Sequence, residues 1–364
     1  MELRKKVACL AAAAIVLFAP AAFCEPLPES ERTLAPDFKT DLWINSAPLT
    51  LEQLKGKVVL IDFWEYTCIN CIRTFPYLRR WHQLYSPLGL VVIGVHTPEF
   101  DFAKDPKRVA DATKRFGFAF PIAVDSNRDI WRAFRNDAWP SKYLIDKNGR
   151  IALNHKGEGD YAAFELVIQQ LLKEANPKLT FTEAKYQPPP DEGEAGKVCR
   201  RPTPELYLGS ERGSRDYNDG GYKENAAFTY KLPDKIPDEA FALKGKWNAQ
   251  PEFIRHLSDS SDDFLRLIYE AKAVYLVAGI GGGKPQKLFV SQDEKPLPTK
   301  ARGVDVKDDK TGRTYVELTK KRMYYIVDNP GFEGHQLDLS PQGAGVELYS
   351  FTFGNDCENK FDHK

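Results

Sequence analysis

Two cysteines separated by two residues, Cys68-Ile69-Asn70-Cys71, follow the run Asp62-Phe63-Trp64-Glu65-Tyr66-Thr67. Such a pair can close into a small reversible disulfide. Lys57 to Phe63 is apolar enough to be a buried strand, and Ile69 to Tyr85 has helical spacing. Cys68 then sits at a helix N-terminus, where unpaired N–H groups and the helix dipole stabilise a thiolate. The thiolate is the attacking species in disulfide exchange. These residues predict Cys68 as the nucleophile and Cys71 as the resolving cysteine. A half zinc site would need a second Cys or His pair at ligand spacing, and none occurs; a purely structural disulfide is the remaining alternative. Asp62, inside the strand, is expected to be desolvated with a raised pKa and to relay a proton to or from Cys71, the alternative being a carboxylate held by a structural partner. Glu65 is nearer in sequence and is either a second proton carrier or a solvated loop carboxylate. His96, at the end of a later strand, either lines the site or is structural.

The elements around the pair alternate. Leu90 to Val95 is a second strand, and Asp105 to Phe116 a helix with Asp105 as cap and Pro106 at its first position. Ser141 to Ile145 and Arg150 to His155 flank the turn Asp146-Lys147-Asn148-Gly149 as a hairpin, and Asp160 to Leu172 is an amphipathic helix. Strands alternating with helices imply a sheet covered on both faces, an α/β domain over residues 34–174. Pro188-Pro189-Pro190 marks a linker over 175–200. Beyond it, over 201–358, short β-rich runs recur almost without helix, among them Phe264–Glu270, Ala273–Ala278, Met323–Val327 and Gln336–Leu339. About nine such strands predict an all-β sandwich or jelly roll.

Length and charge agree with two domains. The chain has 364 residues, and Lys+Arg and Asp+Glu each number 51. No net positive field exists to attract nucleic acid. Arg4, Lys5 and Lys6 precede an apolar run broken by Pro20 and ended by small residues. This order predicts a cleaved signal peptide over 1–24 and a periplasmic protein rather than a membrane anchor. Cys24 follows the bulky Phe23, which argues against a lipoprotein.

The match to a known family extends beyond the cysteines. Asp62-Phe63-Trp64 before Cys68, Pro76 in the first helix and Trp139-Pro140-Ser141-Lys142-Tyr143-Leu144-Ile145 together resemble the thioredoxin superfamily. The resemblance implies that Pro140 is a cis-proline set against the Cys pair, with Trp64, Trp139 and Pro140 meeting substrate. Trp64-Glu65-Tyr66-Thr67-Cys68-Ile69-Asn70-Cys71-Ile72-Arg73-Thr74, Gly94-Val95-His96-Thr97-Pro98-Glu99-Phe100 and Tyr207-Leu208-Gly209-Ser210-Glu211-Arg212-Gly213 are similar to the periplasmic part of DipZ-type thiol:disulfide interchange proteins. This implies a thioredoxin-like domain followed by a carbohydrate-binding-module-like sandwich, working on disulfide-containing protein substrates without a cofactor or metal. DipZ-type proteins carry a membrane electron-transfer domain, and here a signal peptide stands in its place. Electrons are then expected from a separate membrane donor of the CcdA/DsbD type, or the exchange runs in another direction.

Tyr207, Tyr217, Tyr222 and Trp247 offer flat faces that could stack on a glycan, or they belong to the core. Two other function classes compete with the oxidoreductase. A peroxiredoxin-like peroxidase is suggested by Ala35-Pro36-Asp37-Phe38, but Leu60 to Cys68 lacks the proline that its motif requires. A glycan- or protein-binding protein with an accessory redox pair is the other.

Cys199 and Cys357 flank the second domain. Domain termini often lie close together, and an oxidising compartment would preserve a bond between them worth about 2–4 kcal/mol. Peptide mapping of the non-reduced protein is expected to recover the Cys199 peptide linked to that of Cys357. Recovery of the two unlinked rejects the pairing.

Overall fold

The computed structural model describes residues 25–181, 200–213 and 215–355. The expected leader, most of the linker, Cys199 and Cys357 lie outside the described residues.

The first domain runs β1 (Thr33–Leu34), β2 (Trp43–Ile44), β3 (Val58–Trp64), α1 (Ile69–Tyr85), β4 (Leu90–His96), α2 (Pro106–Arg115), β5 (Ile122–Val124), α3 (Asp129–Ala133), β6 (Ser141–Ile145), β7 (Arg150–Lys156) and α4 (Tyr161–Ala175). Its seven strands form one sheet in the order β1-β7-β6-β3-β4-β5-β2. β3 is parallel to β4 and antiparallel to β6. The central strand is buried along its whole length because both its faces are covered. Side chains alternate between faces of a strand: Val58, Leu60 and Trp64 join a core with α1, α2 and α4, while Val59, Ile61 and Phe63 join another with α3. Asp62 has the parity of Leu60 and Trp64, so it faces the α1 side, where Cys71 is buried. The sequence-based helix starts hold: Asp105 caps α2 by accepting a hydrogen bond from the Lys107 amide, with Pro106 at its first position.

The second domain is strand-rich, as expected. It comprises β8 (Leu206–Tyr207), β9 (Ala227–Tyr230), β10 (Ala240–Ala249), β11 (Ile254–His256), β12 (Phe264–Ile280), β13 (Gln286–Gln292), β14 (Lys295–Pro296), β15 (Val306–Asp308), β16 (Thr314–Leu318), β17 (Arg322–Pro341) and β18 (Val346–Gly354). Four of the short runs read from sequence are halves of two long strands, β12 and β17, which pair with each other over nearly their full length. A register shift between Ala271 and Ala273 lets β12 change direction without ending. Its first half pairs with β10 and its second with β18, and β11 joins β10 to β18. The layers are thus parts of one continuous eleven-stranded sheet folded over a single apolar core.

The domains meet along α1 and the loop after β4. Tyr275 of β12 is buried in the same cluster as Cys71, and Phe100 packs with Val277 and Tyr349. The Glu99 carboxylate accepts hydrogen bonds from the Tyr207 hydroxyl (2.8 Å) and Arg212 (2.9 Å).

Gly94, paired with Asp62 across β3 and β4, has no room for a side chain: a Cβ would lie 2.7 Å from Ile122 Cδ1 and 2.9 Å from Trp64 Nε1. Gly94→Ala is expected to lower stability in urea unfolding by about 1–3 kcal/mol, the usual cost of overpacking a core. An unchanged midpoint would contradict that packing.

Candidate active site

β3 ends at Trp64, and the loop Glu65-Tyr66-Thr67 delivers Cys68 to the N-terminus of α1. Cys68 is the N-cap: its Sγ accepts the Cys71 amide N–H at 3.1 Å. Cys68 is half-buried and Cys71 fully buried, and the two form a disulfide with Cα atoms 5.3 Å apart. The N–H that meets Sγ is one of the donors a helix start leaves unpaired, so it would stabilise negative charge there once the disulfide opens.

Asp62, on the α1 face of β3, is fully buried, and burial pushes its carboxyl up to about 6 against the opposing pull of Lys142. Lys142 Nζ is 3.5 Å from Asp62 Oδ1, and both side chains are 1% exposed. Neither makes a hydrogen bond among the described residues. Burial lowers the Lys142 pKa in turn. Lys142 was missed in the sequence; its one signal was a charge inside an otherwise apolar strand.

Glu65 corrects the reading of a solvated carboxylate, since it is fully buried. One oxygen accepts the amide (2.6 Å) and hydroxyl of Thr67, and the other is 3.8 Å from His96 Nε2. Glu65 thus holds the turn that presents Cys68, and His96, buried and stacked on Tyr66, belongs to that support.

Trp64 is also corrected. At 1% exposure, with its ring edge-on to Phe75, His96 and Phe118, it is core and offers no surface to a substrate. Trp139 is half-buried, tilted at 33° against Trp131 with ring centroids 4.1 Å apart, and donates from Nε1 to the Thr97 carbonyl at 3.2 Å. The Trp139–Pro140 peptide bond is cis. Because Phe63 pairs with Ser141, Pro140 stands where β3 runs out, at the end of the sheet that also carries Cys68.

From Trp139 a cavity of about 740 Å³ opens between the domains, lined also by Arg128, Glu99, Tyr207, Arg212 and Glu252. Its aromatic faces are taken: Arg128 covers Trp139 and Arg212 lies 3.4 Å over Tyr207. Elsewhere, Trp247 is fully buried, and the Tyr222 hydroxyl donates to the Leu208 carbonyl. Of the four aromatics weighed for sugar stacking, only Tyr217 is exposed.

Residues 31–154 match the AhpC/TSA family and residues 203–354 the family described as thioredoxin like C-terminal domain. The chain is 35% identical to Protein DipZ of Mycobacterium bovis and of Mycobacterium tuberculosis over 88% of its own length. It spans only 43% of the length of those relatives. Thiol-disulfide oxidoreductase ResA of Bacillus thuringiensis is 31% identical over 38% of this chain and 76% of ResA. A crystal structure of a thiol-disulfide isomerase from Corynebacterium glutamicum is 29% identical, with a TM-score of 0.35, over 38% of this chain and 96% of that one.

The buried carboxyl makes stability pH-dependent. Asp62 binds a proton more tightly when folded (about 6) than when unfolded (3.8). Its contribution is therefore complete below the unfolded value and is lost as pH rises through about 6. Asp62→Asn removes that loss, so its stability relative to wild type is expected to rise by roughly 2–3 kcal/mol between pH 3.5 and 7. Denaturant titrations at several pH values check this; a difference independent of pH would refute the buried-carboxyl assignment.

Proposed function

This chain belongs to the thioredoxin-like family of thiol–disulfide oxidoreductases, and from that premise we propose that it works outside the cytoplasm, exchanging disulfides with protein substrates through Cys68 and Cys71. The observation that carries this reading is the unequal burial of the two cysteines at a helix start: Cys68 is accessible and accepts the Cys71 amide, while Cys71 is fully buried. In the reducing direction, the Cys68 thiolate attacks one sulfur of the substrate disulfide, and the other leaves as a thiolate. Cys71 then gives its proton to the Asp62 carboxylate and attacks Cys68 Sγ. The Cys68–Cys71 disulfide forms, and the second substrate sulfur leaves.

The extracytoplasmic location rests on the basic and apolar order of residues 1–24. Electrons that return the pair to its reduced form would come from a separate membrane donor. The second domain is assigned to protein contact, as the far wall of the cleft beside Trp139, since most of the aromatics suited to a sugar are committed elsewhere. A peroxidase reading finds no support before Cys68: no proline stands between Leu60 and the cysteine.

With a dithiol donor, the purified protein is expected to reduce insulin, and Cys68→Ser to abolish this. Cys71→Ser is expected to accumulate mixed disulfides through Cys68, visible by mass spectrometry. An active wild type whose Cys71→Ser variant traps nothing reverses the two roles. Thiol-dependent peroxide consumption without insulin reduction supports the peroxidase instead.

A further inference from the structure

Two of the segments similar to DipZ-type proteins, residues 94–100 and 207–213, lie in different domains and meet in the fold. Glu99 of the first accepts the Tyr207 hydroxyl at 2.8 Å and Arg212 Nη1 at 2.9 Å from the second, both on Oε1. Its side chain is 8% exposed. Arg212 lies over the Tyr207 ring, so the two donors come as one unit. The stretch that carries Glu99 also holds Trp139. The Thr97 amide donates to the Trp64 carbonyl at 3.1 Å where β3 ends, and the Thr97 carbonyl accepts Trp139 Nε1. Arg128, which covers the Trp139 ring, donates to the Pro98 carbonyl at 2.7 Å and to the Glu99 carbonyl at 3.3 Å. Trp139 is thus held through backbone atoms of residues 97–99, and the far end of that stretch is fixed by the second domain.

We propose that Glu99 is a positioning residue of the exchange reaction: bound to Tyr207 and Arg212, it anchors residues 97–99 to the second domain and through them fixes the Trp139–Pro140 segment that receives a substrate. The inference rests on the reading that a substrate meets Trp139 and Pro140 while it exchanges with Cys68. Glu99 acts through Trp139 and takes no part in the sulfur chemistry. Loss of the anchor therefore weakens substrate binding and leaves the attack by Cys68 unchanged.

The anchor is sensitive to pH. Facing Glu99 are Glu205, Tyr207 and Arg212 of the second domain and Glu65 from the end of β3. Glu205 itself accepts Thr352 Oγ1 at 3.1 Å. Burial, and after it the Glu205 charge, push the Glu99 carboxyl up to about 7 against the pull of Arg212. With both donors on Oε1, Oε2 is left to carry the proton. Glu99 binds that proton more tightly with the second domain in place than in water (4.5), so the anchor is complete below 4.5 and weakens as pH rises through about 7. Above that pH two carboxylates, Glu99 and Glu205, face the one guanidinium of Arg212.

The test is steady-state reduction of insulin by the full chain with a dithiol donor, reading KM and kcat separately. Glu99→Ala is expected to raise KM about tenfold and Tyr207→Phe about threefold, with kcat within about twofold of wild type. Alkylation of reduced Cys68 by iodoacetamide should keep its wild-type rate. Tyr207→Phe added to Glu99→Ala should cost nothing further, because both remove one contact. Glu99→Gln keeps the accepting oxygen without the charge, so it should restore KM. The ratio of wild-type KM to that of Glu99→Gln should then rise about threefold from pH 6 to 8.5. A wild-type KM in Glu99→Ala beside a raised KM in Trp139→Ala overturns the inference alone. So does a ratio that stays level with pH, or a loss that falls on kcat and alkylation. A wild-type KM in Trp139→Ala overturns the reading that substrate meets Trp139, and the inference with it.

Discussion

A slip of one residue between β3 and β6 would undo the site, because every side chain on a strand changes face with its register. In the observed pairing Asp62 meets Lys142 and Phe63 meets Ser141. The first pair places the Asp62 and Lys142 side chains together on the α1 face of the sheet; the second sets Pro140 at the edge where the Cys loop emerges. The apolar residues that alternate with them hold the register, since Leu60 and Leu144 enter one core and Ile61 and Tyr143 the other. Burying both charges is costly, and a packed apolar pair of similar volume is often as stable or more so. Under the proposed function, proton transfer rather than stability is the reason for its presence.

The same sheet separates the surroundings of the cysteines. Cys68 belongs to the loop and keeps some contact with solvent, whereas Cys71 lies one turn into α1 and faces the sheet. Glu65 and Thr67 make the loop stiff from within, and the second domain braces α1 from outside through Tyr275 in the core that holds Cys71. The loop after β4 ties these parts together: Thr97 receives the Trp139 indole, while Glu99 binds Tyr207 and Arg212 of the second domain. A movement between domains would therefore be felt at the residue beside Pro140.

Much of this was legible in the residues. Helix and strand periodicity located β3, α1, β4, α2, β6, β7 and α4 because each buries a regular apolar pattern, and the caps that start α2 act within a few residues of chain. The Cys pair at a strand-to-helix junction carried its chemistry in its spacing alone. What local pattern did not show was continuity across a bend: β12 alternates as far as Lys272 and is buried on both faces from Ala273 to Gly279, so one bulged strand read as two.

By itself, then, the sequence determined the elements, the redox pair and the burial of Asp62, since each depends on neighbours along the chain. Tertiary structure alone decided the rest. Lys142 became the partner of Asp62 through a pairing between strands far apart in sequence. Trp64 and Trp247 became core rather than binding surface because packing from distant elements covers them. Glu65 was taken out of water by the His96 strand beside it. Cross-strand register and burial are properties of pairs of distant segments, and no window along one segment contains them.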